Sequence, residues 1–144
     1  MTKGYIFKYA GALISWSSRR QTIVAPLSTM AEFCAYDLAT KEALWMKKLL
    51  VAMDMIPQDE LIPIYTDSDN AMTIVKKDGY KGTNKWLDLR YFFVKDHYKE
   101  KNIILERVDR DKNPANSITK PLNKEKFREF MKIISSGQDA AAPQ

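Results

Sequence analysis

The stretch from about Met30 to Met53 contains neither proline nor glycine, and it limits what this chain can fold into more than any other feature. Such a run predicts one long helix. Its apolar residues recur at helical spacing in two stripes. One contains Cys34, Leu38, Trp45, Leu49 and Ala52, the other Tyr36, Ala39, Ala43, Met46 and Leu50, with Asp37, Lys41 and Lys48 as a polar edge between them. A helix that is apolar on two sides is expected to be covered on two sides, by a sheet and by another helix. Thr29-Met-Ala-Glu32 before it fits a capping box, with Thr29 as N-cap and Glu32 reaching back.

The other elements arrange themselves around this helix. Gly4 to Tyr9 and Ala12 to Ser17 are rich in β-branched and aromatic residues and flank Gly11, which predicts a hairpin. Ile62 to Thr66 reads as a short strand, followed by a helix through Ala71, Ile74 and Val75 and a loop from Asp78 to Trp86. Leu87 to Lys101 is helical, with Leu87, Tyr91, Val94 and Tyr98 on one face, and Ile103 to Val108 is a strand. Asn113-Pro114 opens a short helical turn, and Lys124 to Ile134 forms a last amphipathic helix. This order predicts an α/β domain with a mixed sheet over residues 1–134, with 135–144 as a disordered tail.

Composition excludes several function classes. Cys34 is the single cysteine, so neither a disulfide within the chain nor a cysteine-based zinc site is open to it. No run of about 18 apolar residues exists, so no membrane span is expected, and the N-terminus lacks a signal-peptide pattern. An intracellular protein, in cytoplasm or nucleus, is the expectation. The net charge of +5 is uneven: residues 1–75 carry 7 Lys/Arg against 8 Asp/Glu, residues 76–144 carry 16 against 10. That imbalance suits a polyanionic partner and equally suits a solvated mixed-charge surface.

Two carboxylates are candidates for chemistry. Glu32 lies one turn before Tyr36, and Asp67 lies just past the carboxyl end of a strand, where open α/β sheets place their sites. Each also has a structural role on offer, Glu32 in the capping box and Asp67 as cap of the following helix. As a pair they suit a hard cation such as Mg²⁺. Two such ions about 3.5–4 Å apart serve phosphodiester hydrolysis. His97, the single histidine, is assigned no role.

Six segments in one order then carry a family resemblance. Ile14-Ser-Trp-Ser-Ser-Arg-Arg-Gln21 looks like the hairpin of Ty1/copia-type retrotransposon ribonuclease H domains. Ser28-Thr-Met-Ala-Glu32-Phe33 resembles the start of their long helix, and Lys41-Glu-Ala-Leu-Trp-Met-Lys-Lys-Leu-Leu50 its middle. Ile64-Tyr-Thr-Asp67 with Asn70-Ala71 resembles the family's strand end. Lys85-Trp-Leu-Asp-Leu-Arg-Tyr91 and Asn116-Ser-Ile-Thr-Lys-Pro-Leu122 complete the series, which spans roughly residues 4–134.

The resemblance implies a ribonuclease H-like mixed sheet with flanking helices, whose first, central strand is missing or replaced. It also implies four acids, of which Glu32 and Asp67 match the second and third. The first would come from the missing strand, and Asn116 stands where the last Asp belongs. Trp86 replaces a usual histidine and Met30 a usual glutamate. Removing two carboxylates that would face as much as +4 of metal weakens two-metal binding severely.

The expected function is therefore a catalytically impaired, domesticated module that binds protein or nucleic acid. The alternative is an active, Mg²⁺- or Mn²⁺-dependent ribonuclease H cleaving RNA in RNA–DNA hybrids, with Asp69 or a partner strand supplying an acid. Nucleic acid would be held through Lys76, Lys77, Lys81, Lys85 and Arg90. A homodimer or another chain is expected to add a strand at the open sheet edge.

Overall fold

A computed structural model describes residues 2–20, 28–77 and 85–135. The chain divides into two compact units, one formed by Met1–Val24 with Val108–Gln144 and the other by Ala25–Arg107.

The first unit is a hairpin with two short helices. Strands β1 (Thr2–Tyr9) and β2 (Ala12–Arg20) pair antiparallel. Ala10 and Gly11 join them, both at positive φ (49° and 79°). Two consecutive left-handed residues match the right-handed strand twist, and this makes the tight turn expected around Gly11. After a 3-10 turn at Arg110–Lys112 come α4 (Ala115–Thr119) and α5 (Lys124–Ser135), numbered after the three helices of the other unit. Helix α4 packs on both strands and α5 on β2. A Cβ on Gly4 would meet Thr119 Cγ2 at 2.9 Å and Ile118 Cδ1 at 3.1 Å, so the hairpin admits α4 because that position has no side chain. Ser18 Oγ donates to the Ile118 carbonyl (2.6 Å), and Lys8 Nζ to that of Ile133 (3.1 Å).

The second unit holds the buried core. Helix α1 runs from Ser28 to Ala52, β3 from Ile62 to Thr66, α2 from Asp69 to Lys76, α3 from Lys85 to Lys99 and β4 from Ile103 to Arg107. Strands β3 and β4 are parallel, in register from Ile62 opposite Ile103 to Thr66 opposite Arg107. A parallel pair needs a crossover connection, and α2 and α3 supply it. Helix α1 packs on α3, α2 and β3. Phe33, Tyr36, Ala39, Ala43 and Met46 of α1 close the core with Val75, Tyr91, Val94, Ile103 and Leu105.

Two expectations are corrected. The sheet is not one of them: among the described residues the β-strands form two two-stranded sheets, one antiparallel and one parallel, as a mixed sheet lacking its central strand would. Among the described residues no strand pairs with both β1–β2 and β3–β4. The long helix is covered unevenly: the Tyr36 stripe is buried from Tyr36 to Met46, while the other stripe is buried at Cys34 and exposed at Trp45 (59%) and Leu49. Periodicity showed two apolar faces, and the partners of α1 among the described residues cover the second only near its start. The polar edge is also not at the surface throughout, because Asp37 is 1% exposed and sits between Lys41 Nζ (2.9 Å) and Arg90 (3.8 Å).

The expected helices and strands otherwise match, with ends shifted by a few residues. The expected tail lies outside the described residues except for Ser135, which ends α5. Among the described residues no helix is long and apolar enough to cross a membrane.

Candidate functional site

The carboxyl end of β3 is where polar side chains converge. Strand pairing places Arg107 beside Thr66, and the chain leaves β3 through Asp67 and Ser68 into α2. Ser68 caps that helix, its Oγ accepting from the Ala71 amide at 3.3 Å. The capping role that the sequence offered to Asp67 is thus taken by its neighbour. Ser68 Oγ also donates to Glu32 Oε2, which ties the start of α1 to the strand end. Helix α1 already includes Ser28, so Thr29 lies inside it and is not its N-cap.

One turn beyond Glu32, the buried Tyr36 donates its hydroxyl hydrogen to Thr66 Oγ1, which also accepts the Ser68 amide at 3.0 Å. Burial pushes the Tyr36 phenol well above its ordinary value near 10, against a lowering by the Thr66 hydrogen bond. The negative charges of Glu32 and Asp67 raise it further, and Arg107 lowers it. Both carboxylates and the guanidinium therefore act on one hydroxyl. The two acids chosen from sequence, 35 positions apart, are in one place.

Asp69, the possible substitute acid, is turned to the neighbouring strand: Arg107 Nε donates to its Oδ1 at 2.7 Å. Asn116 lies in the other unit, on α4, where its Nδ2 donates to the Arg110 carbonyl at 2.9 Å. Among the basic candidates, Lys76 and Lys77 are exposed at the end of α2. The Lys77 carbonyl accepts from the buried Lys95, which also donates to Tyr91 Oη at 2.9 Å. Arg90 is half-buried and directed at Asp37. Lys85 opens α3, and Lys81 lies outside the described residues.

Tyr36, Thr66, Ser68 and Arg107 were not singled out as site residues from sequence. Ser68 had a usable signal, since serine just before an apolar-periodic run is a preferred N-cap. Tyr36 read only as part of an apolar stripe.

Among the described residues, no three His, Cys, Asp or Glu side chains gather into a metal-binding group. The Thr66 hydroxyl already accepts from Tyr36 and the Ser68 amide, and that of Ser68 accepts from Ala71 while donating to Glu32, which leaves the carboxylates of Glu32 and Asp67 as donors. One or two carboxylates are the common protein share for one hydrated Mg²⁺, and they fall short of the charge that two adjacent divalent ions require.

Comparison with known proteins finds similar sequences among retrotransposon polyproteins. The retrovirus-related Pol polyprotein from transposon TNT 1-94 of Nicotiana tabacum is 30% identical over 131 residues, 91% of this chain. Those from transposons RE2 and RE1 of Arabidopsis thaliana are 27% and 26% identical over 133 residues, 92% of this chain. The chain spans about a tenth of the length of these relatives: 10% of the first and 9% of the other two. No family model matches the chain, and no solved structure matches it.

Proposed function

We propose that this chain, a homologue of a segment of copia-type retrotransposon Pol polyproteins, is a ribonuclease H-like module that works by binding, with phosphodiester cleavage impaired. The observation that carries the reading is the donor set at the end of β3. Glu32 accepts from Ser68, the residue after Asp67, both carboxylates act on the Tyr36 hydroxyl, and Asp69 pairs with Arg107. Asn116, at the position where the resemblance calls for a further acid, is an amide without charge.

A divalent ion bound at such a site supplies an activated water and stabilises the leaving oxygen. In this chain Glu32 and Asp67 would hold it. Ser68 orients Glu32, while Tyr36, kept neutral by burial, fixes the Thr66 hydroxyl beside them. What these residues provide is an acidic pair short of charge for two ions.

The alternative is a working Mg²⁺- or Mn²⁺-dependent ribonuclease H, favoured by the convergence of Glu32 and Asp67. A cleavage assay on a labelled RNA–DNA hybrid separates the two. The expected result is that the unmodified chain cleaves no faster than a Glu32→Gln/Asp67→Asn double variant. Cleavage by the unmodified chain that either substitution abolishes would establish the alternative.

A further inference from the structure

The net charge sorts by structural unit. Ala25–Arg107 carries 12 Lys/Arg against 13 Asp/Glu, a net −1, whereas Met1–Val24 with Val108–Gln144 carries 11 against 5, a net +6. The unit with the acidic site is thus close to neutral. The whole surplus of positive charge belongs to the hairpin, α4 and α5.

The same unit exposes aromatic and apolar side chains in an ordered way. Trp16 is 61% exposed on β2. Alternation along the strand puts Ser18 and Arg20 on the same face, and Ser18 bonds α4 there. Trp16 and Arg20 therefore flank the edge of α4's contact, and Arg20 is itself exposed. On α5, Phe127 and Met131 form an exposed row at i, i+4. Lys124, Arg128 and Lys132, also exposed, form a parallel row at i, i+4, i+8. The helical repeat of 100° per residue sets these rows side by side, with Glu125 and Glu129 on the far side of the basic one.

We infer that the β2–α5 surface of this unit binds an unpaired nucleic-acid strand, with Trp16 and Phe127 as stacking platforms and Arg20, Lys124, Arg128 and Lys132 as phosphate contacts. Exposed aromatic faces beside a basic track are what single strands use: bases stack without sequence preference and the charges follow the backbone. A buried-core role does not account for these side chains, since none of α5 is buried. The acidic row explains why one side of the helix is left out. The inference rests on the binding reading above and assigns that binding to a surface other than the Lys76–Arg90 group, where Arg90 is directed at Asp37.

The test is fluorescence anisotropy of labelled oligo-dT and oligo-U with the full chain, titrated across salt. Binding should weaken steeply with salt, and Trp16→Ala should raise Kd about tenfold, while Trp16→Phe keeps most of the affinity. A Lys124→Gln/Arg128→Gln/Lys132→Gln variant, changed only at exposed positions, should reduce the salt slope by about 2. Lys76→Gln/Lys77→Gln should leave binding unchanged. The inference is overturned by absent oligonucleotide binding at low salt, or by binding that depends on Lys76 and Lys77 and ignores β2 and α5. Stronger partition onto phosphatidylserine vesicles than onto oligonucleotides would overturn it too, since a basic amphipathic helix also suits a membrane surface. Hybrid cleavage that Glu32→Gln abolishes would sink the impaired-nuclease reading and leave this site standing. Binding indifferent to the substitutions here would do the reverse.

Discussion

The two units solve the same problem, holding a small sheet and its helices together, in different ways. Ala25–Arg107 buries a continuous apolar core and even takes Asp37 and Lys95 inside it, each with partners. In the hairpin unit, no residue of β1, β2, α4 or α5 is buried. Its strands and helices are fastened by close backbone approach at Gly4 and by side chains of Lys8 and Ser18 on helix carbonyls. The difference separates two jobs. A packed core fixes the geometry of a few polar groups at the end of β3, while a thin unit leaves its aromatic and basic side chains at the surface, available to a partner.

Removing core volume should break this contrast most sharply. Ile103 is 1% exposed, so Ile103→Ala should cost about 2–5 kcal/mol in denaturant unfolding. Hydrogen exchange should then show β3 and β4 losing more protection than β1 and β2; equal loss would mean that the two units unfold as one body. A smaller effect is expected from Gly4→Ala. The added methyl would collide with Thr119 and Ile118, an overpacking cost of about 1–3 kcal/mol, felt first as lost protection in the hairpin. Unchanged stability there would show that α4 is not held by this contact.

The smallest effect is a pH dependence in the core unit. Tyr36 has its folded-state value raised above the unfolded one by burial, so its contribution is intact below pH 10 and is lost as pH rises from there towards the folded value. Between pH 10 and 11 the unmodified chain should lose up to about 1.4 kcal/mol more stability than Tyr36→Phe. Parallel pH curves for the two proteins would show that the phenol is not buried in solution.

Much of the site was legible. Glu32 and Asp67 stood out because one begins a helical face and the other ends a strand, positions that local pattern reveals. Their neighbours were hidden for a physical reason. Tyr36 looked like core and is core, and its function as a donor to Thr66 depends on a residue 30 positions away. Arg107 ends a strand that pairs in register with β3, and no sequence period announces that register. The basic group at Lys76–Arg90 was chosen by proximity in sequence, whereas the charge surplus is assembled from the two ends of the chain.

The sequence by itself determined the elements: the long helix, the Gly11 hairpin, the strand into Asp67, the amphipathic last helix and the kinship with copia-type Pol polyproteins. Each follows from a local period, a turn residue or a run of matching segments. The tertiary structure alone decided which stripe of α1 is covered, that Ser68 and not Asp67 caps α2, and that Arg90 is directed at Asp37. It also decided that positive charge gathers in the hairpin unit. Local periodicity reports how a residue sits on its own helix or strand; burial, pairing and charge clustering depend on which layers stack, and that is set by contacts between distant parts of the chain.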